Sequence, residues 1–229
     1  MGTSNSFQPP ISMPQSDLPS NLEQTAADLQ LSDSQYQQKM QRRQAVQAKR
    51  LESCAEPKGL IIVHTGNGKG KTTAALGIVL RSLGHGFKVA IIQYIKGAWE
   101  PAEKAAFATW GDQLTFHAMG EGFTWDTQDR DRDIEMAQTA WVKSLEYIQD
   151  QDYDVVLLDE VNIALKLGYL TTEQVLDGLA LKPDLKHVIL TGRGAPEALI
   201  DRADLVTEMK IIKHPFKDQG IKAQAGIEF

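Results

Sequence analysis

Between His64 and Gly77 the chain reads HTGNGKGKTTAALG. Gly66, Gly68 and Gly70 stand at alternate positions. A residue without a Cβ can take a positive φ there and let backbone N–H groups approach phosphate oxygens. Lys71 follows as a point charge for the same oxygens, Lys69 adds a second cation inside the turn, and the Thr72 hydroxyl is placed for a divalent cation. Helix formers begin at Lys71, so N-terminal amides and a helix dipole would face the same anion. This is polyphosphate chemistry, a P-loop, with one departure. Thr65 stands where the first glycine of the usual pattern belongs, at no cost to the phosphate-facing groups.

Such a loop needs a carboxylate for its cation. YDVVLLDE supplies Asp159 and Glu160 directly after a buried apolar run, and a carboxylate there holds Mg²⁺ directly or through water. The alternative for Asp159 is to cap a helix over NIALKLG. Two further loops carry chemistry. In MGEGFTWDTQ two glycines precede Phe123 and Trp125; by residue type these pack in a core, but their place after a strand suits stacking on a flat ligand. In LTGRGAP, Gly192 and Gly194 leave Arg193 free to meet a phosphate, a carboxylate or a structural salt-bridge partner. His214 has no nucleophile to pair with and is read as structural, among turn residues.

The elements that must position these residues follow from the apolar pattern. Strands are expected at 60–64, 88–94, 114–119, 155–159, 187–191 and 205–209, most of them continuous β-branched runs suited to buried parallel strands. Helices are expected at 72–83, 101–109, 129–148, 172–179 and 196–202. In the longest, Ile134, Ala137, Trp141, Leu145 and Ile148 fall on one face. The alternation predicts an α/β fold: a P-loop NTPase (RecA-like), mostly parallel six-stranded sheet with helices on both faces, its ligands at the carboxyl ends of the strands.

Ahead of this domain, residues 1–34 are rich in Ser, Gln and Pro and are expected to be disordered. Residues 35–56 are expected to hold a polar helix capped by Ser34, with a thin stripe of Tyr36, Met40, Val46 or Gln47, and Leu51. The α/β domain then takes 57–229. A net charge of -6 argues against nucleic acid as a main partner. The single cysteine, Cys54, excludes an internal disulfide and a Cys-based zinc site. No apolar run reaches membrane-span length, and no Lys or Arg precedes Lys39, so a cytoplasmic location without a secretory signal is expected.

TGNGKGKTTAALG, GHG, QYIKG, GEGFTWDTQ, LLDEVNIALKLGYL, LTGRGAP, ADLVTEM and KHPF…GIKAQAGIEF, in this order from about Tyr36 to Phe229, resemble the P-loop type of ATP:corrinoid adenosyltransferase. GEGFTW and GIKAQAGIEF are specific to that family. The resemblance implies that a cobalt(I) corrinoid, cobalamin or a precursor, attacks the ribose 5′-carbon of ATP and expels triphosphate. It implies a P-loop that holds ATP reversed, with the threonine at Thr65 part of the pattern. It assigns Gly66, Asn67, Gly68, Lys69, Gly70, Lys71 and Thr72 to the triphosphate, with Thr73 a lesser candidate; Arg193, from the reading of its own loop, is a further candidate for the same phosphates. Thr72 and Glu160 would ligate Mg²⁺ (or Mn²⁺), with Asp159 behind them. Phe123 and Trp125 would pack under the corrin ring, displacing the lower axial ligand so that four-coordinate cobalt(II) is easier to reduce. The family further implies a homodimer whose N-terminal helix covers the partner's site, and a reductant protein such as a flavodoxin. The rival readings are a P-loop ATPase or kinase using Lys71, Mg²⁺ and Glu160 for phosphoryl transfer, and a corrinoid or nucleotide carrier without turnover.

Overall fold

Six short apolar runs become strands because each is bounded by turn residues and offers side chains to both faces of a sheet. They are β1 (Ile61–Thr65), β2 (Val89–Gln93), β3 (Leu114–Ala118), β4 (Val155–Asp159), β5 (His187–Thr191) and β6 (Leu205–Glu208). All five neighbouring pairs are parallel, in the order β3-β2-β4-β5-β1-β6. The computed structural model describes residues 31–52, 56–95, 102–119 and 129–227. The expected disorder of residues 1–34 falls almost wholly outside them.

The chain divides into two compact units between Glu56 and Pro57. The first contains α1 (Asp33–Glu52), a helix with no buried residue. It starts two residues earlier than the sequence suggests. Ser34 lies inside it, and the Ser32 hydroxyl accepts from the Gln35 N–H at 3.4 Å in its place.

In the second unit α2 (Lys71–Gly84) packs Ala75, Val79 and Leu83 against Ile62, Val89, Ile91, Val155, Leu157 and Ile189 on one sheet face. Phe107 and Trp110 join that face from α3 (Ala102–Phe107) and the 3₁₀ stretch Ala108–Gln113, where a single longer helix was expected. Gly111, at φ 51° and ψ -128°, breaks the helical run there. The opposite face is covered by α4 (Arg130–Gln149), α5 (Val161–Lys166), α6 (Thr172–Ala180) and α7 (Glu197–Arg202), with Trp141, Ile148, Val175, Leu179 and Leu199 all buried. The burial strings separate centre from edge: β1 and β4 are buried throughout, whereas β3 is half-buried and β6 exposed along its length. β6 reads LVTE, half of it polar, and forms an exposed edge strand. A helix the sequence reading had as turn, α8 (Pro215–Gln219), completes the described chain; His214 caps it, its Nδ1 accepting from the Phe216 and Lys217 N–H groups. No helix among the described residues is long and apolar enough to cross a membrane.

Candidate active site

The topology brings the ends of β1, β4 and β5 side by side, with β5 between the glycine-rich strand and the acidic one. The loop after β1 closes on the end of β6. Met209 N–H donates to the Thr65 carbonyl at 2.9 Å, and Gly68 N–H donates to the Met209 carbonyl at 2.6 Å. Gly66 and Gly70 hold φ of 94° and 99°. Gly68 does not need a positive φ, contrary to the sequence reading; its reason is close approach. A Cβ there would stand 2.7 Å from the Met209 carbonyl carbon and oxygen. Thr65 also has its explanation: its Oγ1 accepts from the Ala195 N–H at 3.2 Å and ties the phosphate loop to the segment that follows Arg193. A glycine could not do this.

Lys71 opens α2 and is 6% exposed. Its ammonium donates to the Gly68 carbonyl at 2.6 Å, so the cation is held inside the loop's curve. Burial lowers its pKa, and the Glu160 carboxylate works in the opposite direction. Arg193, Lys69 and Asp159 are close enough to act on it as well, Arg193 and Lys69 lowering and Asp159 raising its pKa. The site thus gathers Lys69, Lys71, Asp159, Glu160 and Arg193 at one strand edge. Arg193, Asn67, Lys69 and Thr73 are exposed, Thr72 half-buried. Phe123 and Trp125 lie outside the described residues.

Asp159 is buried at the end of β4 and bonded on both oxygens. Thr191 Oγ1 donates to Oδ1 at 2.7 Å and Gln93 Nε2 to Oδ2 at 3.2 Å. The Thr72 hydroxyl also bonds this carboxylate. Desolvation raises its pKa, against those three hydrogen bonds. It does not cap the next helix; Glu160 occupies that position, with φ 61° and no side-chain cap bond. Glu160 is the one non-glycine residue with a positive φ among those described. Burial and then the Asp159 charge raise its pKa, while Lys71 and Arg193 oppose them.

A hard cation fits this donor set. The oxygens of Thr72, Asp159 and Glu160 suit Mg²⁺, which keeps several waters and takes few protein ligands. Gln93 Oε1, buried beside Asp159, has no hydrogen-bond partner among the described residues and can accept from such a water.

Sequence reasoning missed Gln93, Thr191 and the Met209 seat. The first two stand at the carboxyl ends of predicted strands, where a polar residue after an apolar run was the available signal. The third is a backbone contact without a side-chain signature. His64 was missed too. It pairs with Thr191 and Thr207 on the neighbouring strands, is 5% exposed, and neither ring nitrogen has a partner among the described residues. Burial lowers its pKa. A folded-state value below the unfolded one of about 6.5 means that unfolding takes up a proton. Its contribution is therefore full above that pH and shrinks as pH falls below it. His64→Leu is expected to stabilise the fold by about 1 kcal/mol near pH 7.5, because an unsatisfied buried group is removed. The gain should widen at pH 5.5, where His117 and His187, also lowered by burial, leave a residual slope in both proteins. Urea denaturation at the two pH values checks it.

A phosphate loop sealed on β6, facing an acidic strand end across an intervening strand, can belong to many nucleotide enzymes. Residues 57–229 match the model of ATP:corrinoid adenosyltransferase BtuR/CobO/CobP, and residues 25–51 match the model of the cob(I)alamin adenosyltransferase N-terminal region. The chain belongs to the ATP:corrinoid adenosyltransferase family. Its relatives include a corrinoid adenosyltransferase of Pseudomonas aeruginosa, 47% identical over 86% of this chain and 97% of the relative. Corrinoid adenosyltransferases of a Sinorhizobium species and of Escherichia coli K12 are 48% and 41% identical over 89% and 87% of this chain, covering 95% and 100% of those proteins. Corrinoid adenosyl transfer with ATP is thus the activity of the chain, and the phosphoryl-transfer reading is not favoured.

Proposed function

We propose that the corrinoid adenosyltransferase reaction proceeds here by discarding the three phosphates of ATP as one leaving group. The observation that carries this reading is the Lys71 ammonium, curled onto the Gly68 carbonyl within range of Glu160, Asp159 and Arg193. Charge stored around a polyphosphate, rather than a base poised beside a water, is what a departing polyanion requires. In the proposed step cobalt(I) of the reduced corrinoid gives its electron pair to the ribose 5′-carbon. The Co–C bond forms, the bond from that carbon to the triphosphate oxygen breaks, and its electron pair leaves with triphosphate. The metal becomes formally cobalt(III).

The chain's own residues hold and orient. The loop amides other than that of Gly68, which donates to Met209, and the Lys71 ammonium grip the triphosphate, Arg193 reaches its outer oxygens, and Asn67, Lys69 and Thr73 line the same turn. Thr72 and Glu160, with Asp159 behind them, would hold Mg²⁺ or Mn²⁺. That ion supplies further neutralisation of the leaving charge when bound. Phe123 and Trp125 exclude water and a lower axial ligand from the corrin, protecting a strongly reducing nucleophile from protons. The reading includes a cytoplasmic homodimer in which α1 closes over the partner's site, and a flavodoxin-like reductant.

An anaerobic reaction of purified protein with ATP and a chemically reduced corrinoid tests it. Triphosphate and a light-sensitive Co–C absorption spectrum are expected. Orthophosphate or ADP would indicate phosphoryl transfer, and tight binding without ATP consumption a carrier. In the same assay, with a reduced flavodoxin added as one-electron donor, Trp125→Ala should slow turnover from cob(II)alamin much more than from prereduced cob(I)alamin; equal slowing would reduce the residue to packing.

A further inference from the structure

We infer that Thr191 is a positioning residue that sets both acidic groups of the site, an inference that rests on the reading of Asp159 and Glu160 as the ion-binding pair. Thr191 ends β5, is fully buried, and uses its one hydroxyl twice. The hydroxyl donates to Asp159 Oδ1 at 2.7 Å and accepts from the Glu160 N–H at 2.9 Å. One group therefore fixes the rotamer of the first carboxylate and the main-chain turn that aims the second.

The second bond has a specific task. Glu160 sits at φ 61° and ψ 17°, a left-handed conformation unfavourable for a residue with a Cβ, and such a conformation persists only where the surroundings enforce it. The neighbouring elbow supplies the rest of the clamp. Asn162 Nδ2 donates to the Gly192 carbonyl at 3.2 Å, and a Cβ on Gly192 would meet Glu160 Oε2 at 3.2 Å. The strand inserted between the phosphate strand and the acidic strand thus holds the acidic turn by side chain and by shape. Thr191 suits this because a β-branched side chain has few χ1 options. Valine keeps that shape and loses both hydrogen bonds; serine keeps the hydroxyl.

The test compares Thr191→Val and Thr191→Ser with the unaltered protein by two readouts. In metal-free protein, hydrogen exchange at the Glu160 amide should quicken at least tenfold in the valine variant and stay near the original rate in the serine variant. With ATP present, Mn²⁺ binding followed by the free-ion EPR signal should weaken roughly 10- to 100-fold in the valine variant, the usual cost of losing a group that orients ligands. The serine variant should recover most of it. ATP affinity in EDTA should move less than about threefold in either, since the phosphate grip stays intact. Unchanged Mn²⁺ binding in the valine variant overturns the inference, as do equal losses in both variants or an equal loss of ATP affinity in EDTA. If the unaltered ATP-bound protein takes up no Mn²⁺, the ion-pair reading itself fails, whatever the amide does, and the inference falls with it. Should the valine variant unfold, the serine variant's Mn²⁺ affinity decides: a tenfold or greater loss overturns the inference.

Discussion

Lys71→Ala is expected to remove adenosyl transfer and leave the fold standing. The expected loss in kcat/KM for ATP is about 10³-fold, roughly 4 kcal/mol, the scale found when one preorganised charge-stabilising donor is deleted. The ammonium is bonded to the loop's own Gly68 carbonyl and opposes the Glu160 charge, so removing it leaves Arg193 to oppose that charge. The apolar core on that helix is made by Ala75, Val79 and Leu83, which the change leaves in place. Corrinoid binding and the melting temperature should change little. Lys71→Arg is expected to rescue poorly, since a planar fork does not fit the curve a point charge fills. Residual activity above a tenth of the original would show that the loop amides suffice alone.

Gly68→Ala should be nearly as damaging by a different route. The added methyl group would lie 2.7 Å from backbone atoms of Met209 and 2.9 Å from the Lys210 carbonyl carbon, and backbone cannot swing aside as a side-chain tip can. Either the loop lifts from β6 or the strand end moves. Both break the 2.6 Å bond from Gly68 N–H to the Met209 carbonyl, and the carbonyl that holds Lys71 moves with it. ATP affinity is expected to fall about 100-fold, close to 2.7 kcal/mol, with the core unaffected. Gly77→Ala is the control. Nothing lies within 4 Å of the added atom, and in the middle of α2 the change should stabilise by about 0.5–1 kcal/mol. Calorimetric titration of ATP into the three proteins, beside their melting curves, separates local distortion from global weakening. Equal affinity for Gly68→Ala and the unaltered chain would mean that the loop has slack the geometry does not suggest.

The features legible in the sequence were those written in periodicity or in side-chain chemistry. The strands at Val155–Asp159 and His187–Thr191 fall where their apolar runs begin and end, because a buried parallel strand has to be apolar on both faces. Lys71 and Asp159 stood out in the sequence because their chemistry has few substitutes. What escaped was relational. Thr65 looked like a missing glycine, and its bond to Ala195 depends on a loop far along the chain. Gly68 looked like a conformational glycine, but the Met209 backbone opposite dictates it. Glu160 carries no sequence sign of its left-handed turn, which Thr191 and Gly192 impose from another strand. The exposure of β6 escaped for the same reason: edge position is set by strand order, and strand order is not local.

The seat of the phosphate loop on Met209 orders events in the life of the chain. The glycines emerge early from the ribosome, but the carbonyl that receives the Gly68 amide belongs to a residue made long after, once every other strand of the sheet has been synthesised. A nascent or clipped polypeptide lacking β6 could still assemble its hydrophobic layers and yet own no finished receptacle for ATP. If the loop is the ATP site proposed above, nucleotide capture is expected only once β6 has been made and has paired with β1.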